Sequence, residues 1–226
     1  AEAEVFRSSP LQEHITEPRA VYISFPTEYG TIYSKKELVD ISAVCKEYNM
    51  YLILDGARLG YGLASPSNDV TLADITRLTD AFYLGGTKCG ALFGEAIVIT
   101  DNQMKRGFRS IMKMNGALLA KGWLLGLQYK TLFEDGLYFE ITQKAVDYAK
   151  PIEAAFKAKG VEAAFDGNTN QLFYIPSEAQ IEELKKGFVF EVMDKVDDEH
   201  RMIRICTSWS TTYEEVEALV GAINNL

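Results

Sequence analysis

Four short and almost uninterrupted apolar runs constrain the fold of this 226-residue chain most strongly. They cover residues 20–25, 51–54, 81–84 and 95–100, and segments with helical periodicity separate the first three. Strands that are apolar on both faces belong to parallel sheets covered by helices on each side. The pattern therefore predicts an α/β domain in which a mostly parallel sheet is the middle of three layers.

The helical segments around these runs have recognisable starts. Two of them begin with the capping-box pattern, a Ser or Thr followed three residues later by an acidic residue: Ser34 with Glu37, and Thr71 with Asp74. Residues 103–133 are expected to be helical, and the part from residue 116 is apolar on more than one face. Such a helix is expected to be buried, in the core or at a subunit contact. Residues 1–19 show no period and are expected to form a lead-in loop.

The character of the chain changes near residue 135. A helix is expected over residues 138–159, and shorter helices over 178–186 and 213–223. Short strands alternate with them, at residues 163–165, 171–175, 188–192 and 202–206. Helices set against short strands indicate an α+β unit. We therefore expect part of a large domain over residues 1–134 and a small α+β domain over residues 135–226.

Composition argues against several classes of function. The net charge of −9 repels phosphate backbones, so nucleic-acid binding is not expected. No apolar run is long enough to cross a bilayer, and no secretory leader pattern opens the sequence. Three widely spaced cysteines and two histidines offer neither a disulfide framework nor a metal site. These features predict a cytoplasmic protein without a metal ion.

A lysine follows the third apolar run. Lys88 lies in a glycine-containing loop, and Gly85 and Gly86 allow a sharp turn and close approach to a ligand. An amine in a dry, crowded loop loses part of its preference for the ammonium form. It can then attack a carbonyl and hold it as a Schiff base. The alternative is a surface lysine whose charged end stays in water.

An aspartate ends the second apolar run. Asp55 precedes Lys88 by 33 residues (88 − 55), about one strand–helix–strand unit, so both should face one crevice at the carboxyl ends of the strands. A carboxylate there needs a cation or a ligand, either an ion pair with Arg58 or a protonated ring nitrogen. The small Gly56 and Ala57 favour a flat ring against the strand end. A lysine and an aspartate on one pyridine ring would hold pyridoxal phosphate at both ends.

Two stretches also resemble a known family. Leu54–Leu59 and Gly85–Gly90 look like the signature segments of low-specificity threonine aldolases, which belong to the β-eliminating lyase group of fold type I pyridoxal-phosphate enzymes. Tyr22–Gly30 and Ile203–Ile205 are similar as well, so the resemblance spans the chain from about Arg19 onward. Either signature alone is weak, but the two in this order and spacing are fairly specific.

The resemblance implies a role for each matching residue. Lys88 would bind the cofactor aldehyde, and Asp55 would pair with the pyridinium nitrogen. Arg204 would grip the substrate carboxylate with its planar guanidinium, unless it is a surface arginine at a strand end. The full expectation is cofactor contacts from Asp55, Ala57, Arg58, Thr87 and Lys88, and substrate contacts from Arg58, Arg204 and Thr27. Thr87 and Thr27 could equally be residues that only pack their loops.

The reaction implied by the resemblance is cleavage of threonine or allo-threonine to glycine and an aldehyde, in a homo-oligomer. β-Elimination and transamination stay open, because nothing in the sequence decides which bond at the α-carbon is broken. About the first third of the family pattern, with a phosphate-binding turn and a ring-stacking aromatic residue, has no counterpart here. A non-catalytic remnant that self-associates through exposed apolar surface is the second hypothesis.

Overall fold

A computed structural model describes residues 1–226. Its first part is built around one sheet of four strands: β1 (Ala20–Ser24), β2 (Tyr51–Asp55), β3 (Ala81–Leu84) and β4 (Ala96–Ile99). The strands lie in the order β1-β2-β3-β4, and β1, β2 and β3 run parallel. β4 is antiparallel to β3, because the connection between them is a loop too short for a crossover helix. The prediction of a mostly parallel sheet is confirmed.

Helices connect the parallel strands. They are α2 (Lys35–Glu47), the short α3 (Leu59–Leu63) and α4 (Leu72–Leu78). Both predicted capping boxes are present, with reciprocal hydrogen bonds between Ser34 and Glu37 at α2 and between Thr71 and Asp74 at α4. Each box satisfies two backbone N–H groups that a helix start would otherwise leave unpaired.

The prediction of a lead-in loop over residues 1–19 is wrong. Helix α1 covers Glu2–Ser8, and a 3₁₀ turn covers Gln12–His14. Two glutamates in the first turn of α1 and Arg7 in its last turn complement the helix dipole. The Arg7 guanidinium lies 4.1 Å from the ring centre of Tyr48 and donates to the backbone oxygen of Glu47, so α1 is held against the end of α2.

The expected helix over residues 103–133 is three shorter helices: α5 (Asn102–Lys105), α6 (Phe108–Met114) and α7 (Trp123–Phe133). Gly107 and Gly116 interrupt it, with φ angles of +72° and +71° that a continuing helix excludes. In the part from residue 116, which was expected to be buried, Leu119, Trp123, Leu124 and Leu127 are exposed in this chain, whereas Leu132 is buried. Ile111 and Met114 of α6 are exposed as well.

The second part of the chain contains an antiparallel sheet. Its strands are β5 (Glu162–Ala163), β6 (Gln171–Ile175), β7 (Glu191–Lys195) and β8 (Arg201–Cys206), in the order β5-β6-β8-β7. Helices α8 (Leu137–Ala158), α9 (Glu178–Lys185) and α10 (Tyr213–Asn224) accompany it. β7 begins later than the predicted 188–192, because Phe188 and Phe190 pack against the core and pairing with β8 begins only at Glu191.

Helix α8 is shared between two apolar cores. Its first half contributes Tyr138 and Val146 to a core that also contains Tyr61 and Cys89. Its second half contributes Phe156 and its neighbours to the core under the antiparallel sheet. A third core lies on the mostly parallel sheet. The expected division at residues 134/135 falls just before this shared helix and stays a prediction. None of the helices has both the length and the apolar composition needed to cross a bilayer.

Candidate active site

The two strand ends singled out in the sequence lie side by side. β2 and β3 are parallel neighbours, with Leu54 opposite Phe82 in the register. Just beyond the strands, the N–H of Gly85 donates to the backbone oxygen of Gly56 at 3.0 Å. The segment that carries Asp55 and the loop that carries Lys88 therefore leave the sheet at the same edge.

Glycine is required here for contact between the two backbones. A Cβ at Gly56 would lie 2.1 Å from the backbone oxygen of Tyr83, and a Cβ at Gly85 would lie 2.3 Å from that of Ala57. The sequence argument gave Gly56 the role of making room for a flat ring, and gave Gly85 that of a sharp turn and close approach to a ligand. The structure shows a different reason for the glycines, since the space beside them is filled by the neighbouring strand end.

Asp55 accepts two hydrogen bonds within the chain. Its Oδ1 accepts from the N–H of Ala57 at 2.9 Å, and its Oδ2 accepts from the hydroxyl of Tyr22 at 2.5 Å. The alternative of an ion pair with Arg58 is not what the structure shows, because the ion-pair partner of Arg58 is Glu28. A carboxylate offers about four lone-pair directions, so Asp55 can accept further donors.

Lys88 is exposed at the surface of this chain. The expected dry and crowded environment of the lysine is therefore not found. Its amine makes no hydrogen bond or ion pair, while its backbone oxygen accepts from the hydroxyl of the buried Tyr61. That hydroxyl also accepts from the N–H of Trp209 at 3.3 Å. Tyr61 thus joins the lysine loop to the segment that follows β8.

The start of the lysine loop is held by Glu95. The Glu95 carboxylate accepts from the N–H of Gly86 at 2.5 Å and from that of Thr87 at 3.3 Å. The hydroxyl of Thr87 donates to the backbone oxygen of Gly94 at 3.1 Å. The Thr87 side chain is therefore engaged within its loop, in line with the packing alternative, and its contact with a cofactor stays a prediction.

Arg58 lies one turn beyond Asp55, at the start of α3. Its side chain is only 14% exposed, and its Nη1 lies 3.6 Å from a carboxylate oxygen of Glu28. Glu28 belongs to the loop after β1, together with Thr27. The hydroxyls of Thr27 and Thr31 lie 2.6 Å apart, so Thr27 also serves its own loop. Its contact with substrate stays a prediction.

Arg204 reaches the same region from the second sheet. It lies on β8 opposite Glu191 of β7, and the two side chains form an ion pair. Both line a cleft of about 580 Å³ between β7, β8 and α10, together with Cys206. Arg204 is therefore a cleft residue and not a free arginine on the outer surface.

The thiol of Cys206, on β8, is influenced by charged groups from both parts of the chain. Desolvation raises the pKa of its thiol, and the positive charges of Arg204, Arg58 and Lys88 act in the opposite direction. The three cations predicted to bind cofactor or substrate are thus within electrostatic range of one atom. Two of these cations are already ion-paired within the chain, Arg204 with Glu191 and Arg58 with Glu28.

Several residues of this region were missed by the sequence argument. They are Tyr22, which donates to Asp55, Glu191, which pairs with Arg204, and Tyr61, which holds the lysine loop. Tyr22 carried one signal, a phenol within a mostly apolar strand. The others depend on contacts between distant parts of the chain and had no signal in their spacing.

Comparison with known proteins supports the assignment suggested by this geometry. The curated relatives include low-specificity L-threonine aldolases of Pseudomonas sp. (strain NCIMB 10558) and Pseudomonas aeruginosa, which are 32% and 31% identical over 216 residues. In each case the match covers 93% of this chain and 60% of the relative. The chain thus spans about three fifths of the length of these relatives.

A threonine aldolase of Leishmania major has a similar solved structure. It superposes with a TM-score of 0.94 at 44% identity, over 99% of this chain and 65% of that protein. This likeness confirms the fold type I architecture that the resemblance implied. The family model described as beta-eliminating lyase matches residues 4–207. The chain belongs to the beta-eliminating lyase family.

Proposed function

We propose that this protein is a pyridoxal-phosphate-dependent lyase that cleaves L-threonine or L-allo-threonine to glycine and acetaldehyde. The observation that carries the proposal is the placement of the segments that carry Asp55 and Lys88 at the same edge of the sheet, joined by the Gly85–Gly56 backbone hydrogen bond. The similarity to threonine aldolases from three organisms supports this reaction over β-elimination or transamination.

The residues at the strand ends fit the two ends of a pyridine aldehyde. Asp55 retains accepting capacity after its two internal hydrogen bonds, and a ring N–H is a suitable further donor. Lys88 presents an exposed amine with no partner in the chain, which leaves it accessible to a carbonyl. When bound, pyridoxal phosphate supplies a conjugated ring that accepts the electrons of a bond broken at the substrate α-carbon.

The chain's own groups position the reactants. Asp55 holds a proton on the ring nitrogen, because a nearby negative charge favours the protonated form. Arg58 and Arg204 would bind the substrate carboxylate, since guanidinium groups match carboxylates in a bidentate manner. Fixing the carboxylate would restrict rotation about the bond between the α-carbon and the amino nitrogen, and would so decide which bond at the α-carbon is presented for cleavage.

We further propose a homo-oligomer in the cytoplasm. The exposed apolar side chains of α6, α7 and the segment between them support association, because monomeric proteins rarely leave large apolar patches uncovered. All three cysteines are free, which suits a reducing compartment. Sedimentation at several protein concentrations tests the first statement, and a monomer at every concentration would contradict it.

Cofactor binding is tested by absorption. The purified protein with added pyridoxal phosphate should develop a visible band that borohydride abolishes, and Lys88→Ala should lack it. Lys150→Ala is the matched control, since it removes an exposed lysine whose amine pairs with Asp147 on α8. A band that survives in Lys88→Ala would mean that another lysine is used. No band even with excess cofactor would favour the non-catalytic remnant.

The reaction itself is tested by its products. Incubation of the cofactor-loaded protein with L-threonine should release glycine and acetaldehyde in equal amounts. A 2-oxo acid as the product would instead indicate elimination or transamination. Arg58→Lys and Arg204→Lys should each raise KM for the amino acid about tenfold or more, because lysine keeps the charge but loses the bidentate geometry.

A further inference from the structure

We infer that Tyr22 is a positioning residue for Asp55: its hydroxyl orients the carboxylate and takes one of its lone pairs before the cofactor's ring nitrogen binds. This inference rests on the proposed function. It assigns a role to a residue on a strand other than the two that carry the predicted cofactor contacts.

The first observation is the hydrogen bond itself. The Tyr22 hydroxyl lies 2.5 Å from Oδ2 of Asp55, which is within the range of O–H donors to charged oxygens. The two residues are 33 positions apart and lie on adjacent parallel strands. In the register Tyr22 is opposite Ile53, so its side chain reaches forward along β2 to the strand tip.

The second observation is the arrangement of donors around the carboxylate. The N–H of Ala57 binds Oδ1 and the hydroxyl of Tyr22 binds Oδ2, so each oxygen has one donor within the chain. Two donors on different oxygens fix the plane of the carboxylate. Rotation of Asp55 away from a bound ring would break at least one of these hydrogen bonds, so the orientation is set before a ligand arrives.

The third observation concerns exposure and charge. Tyr22 is 55% exposed, so little of its ring is buried by the core, and its hydroxyl is directed at the carboxylate. The hydrogen bond to Asp55 is the main cause that raises the pKa of Tyr22 far above its usual range; desolvation and the charge of Asp55 add to it. The phenol therefore stays protonated and remains a donor throughout the pH range in which an enzyme of this kind works.

The consequence is a carboxylate whose two oxygens each accept a hydrogen bond from the chain before a ligand binds. Asp55 without Tyr22 would have one oxygen free of any donor in the chain and could rotate toward other donors. With Tyr22, a ring N–H meets an acceptor that is already oriented. Tyr22→Phe keeps the ring but removes the donor, so it isolates this effect from packing.

The first part of the test needs no cofactor. Tyrosine side chains labelled with ¹³C at Cζ are titrated by NMR in the unliganded protein, and the Tyr22 signal is assigned by its loss in Tyr22→Phe. The signal should titrate well above the ordinary tyrosine range and return toward that range in Asp55→Asn. An ordinary titration of Tyr22 in the wild-type protein would overturn the inference.

The second part measures cofactor affinity. Titration of the unliganded protein with pyridoxal phosphate, followed by the visible band, should give a dissociation constant about tenfold weaker for Tyr22→Phe than for wild type. Tyr83→Phe is the matched control, since this tyrosine lies on the adjacent strand β3 and makes no hydrogen bond to Asp55. It should bind like wild type.

The outcomes separate the two proposals. A wild-type band with the same dissociation constant in Tyr22→Phe overturns the inference and leaves the proposed function standing. An equal loss in Tyr22→Phe and Tyr83→Phe also overturns it, because a general effect on the strand ends would explain both. Absence of the band in wild type overturns the proposed function, and the positioning role with it.

Discussion

Glu191 lies directly opposite Arg204 on neighbouring antiparallel strands, and their side chains form an ion pair inside the cleft. The arginine predicted to bind the substrate carboxylate is thus already paired with a carboxylate of the chain. Arg58 is in the same situation with Glu28. Under the proposed function, a substrate carboxylate would have to compete with these internal partners or share the guanidinium groups with them.

Removal of the charge on Glu191 should strengthen the binding of the substrate by Arg204. Glu191→Gln is expected to lower KM for L-threonine about threefold with little change in kcat, because a partly exposed ion pair contributes only a modest free energy. Glu178→Gln is the control, since it removes the ion-pair partner of Arg201, the first residue of the same strand. Steady-state kinetics measure both. A higher KM in Glu191→Gln would show that Glu191 holds Arg204 in its binding position.

A methyl group at Gly85 should disrupt the strand ends. Its Cβ would lie 2.3–2.4 Å from the backbone oxygens of Ala57 and Gly56, and backbone atoms cannot move aside cheaply. Gly85→Ala is expected to lower the free energy of unfolding by about 3 kcal/mol. Gly126→Ala in α7 has open space around the new methyl group and should stabilise by about 0.5–1 kcal/mol. Urea unfolding distinguishes the two, and equal midpoints would contradict the packing argument.

Loss of the Tyr61 hydroxyl should loosen the lysine loop. Tyr61→Phe leaves the backbone oxygen of Lys88 and the N–H of Trp209 without this partner. The expected loss is about 1–2 kcal/mol of unfolding free energy, since Tyr61 is buried. Tyr213→Phe removes an exposed hydrogen bond to Glu217 and should cost less than about 0.5 kcal/mol. Hydrogen exchange should also increase locally around Lys88, and unchanged exchange there would contradict the assigned role.

Stability should fall in acid partly through Asp74. The hydroxyl of Thr71, followed by Lys35, holds the pKa of the Asp74 carboxyl far below its usual range. Because the folded state lowers this pKa, its contribution is complete above the unfolded value of about 4 and is lost as the pH falls further toward the folded value.

Asp74→Asn tests this directly. The difference in urea midpoint between wild type and variant should be present at pH 7 and should shrink below about pH 4. Asp147→Asn on α8 serves as an exposed comparison, whose pKa is lowered mainly by a hydrogen bond from Lys150. A difference for Asp74→Asn that persisted unchanged at pH 2 would contradict the linkage.

The features that were predictable from sequence have strong local signals. The apolar runs gave the strands of the first sheet, because burial on both faces leaves a continuous apolar pattern. Ser34 and Thr71 identified helix starts, because the capping interaction spans only three residues. The adjacency of the Asp55 and Lys88 segments followed from the topology of parallel strands.

The features that were not predictable depend on which distant groups meet. Gly56 and Gly85 are needed because two strand ends touch, and spacing alone does not show that contact. The pairing of Arg204 with Glu191 depends on the register of β7, which begins later than its apolar pattern indicates. Residues 1–19 were misjudged because the partner that holds α1 lies some forty positions away.

The sharing of helix α8 between two cores limits how the two parts of the chain can move relative to each other. One end is packed with Tyr61 and Cys89 beneath the lysine loop, and the other lies under the strand that carries Arg204. Well-packed cores resist shear, so the helix acts as a rigid strut between these two anchor points. The backbone segments that carry Lys88 and Arg204 can therefore move apart only if the helix bends or one core opens.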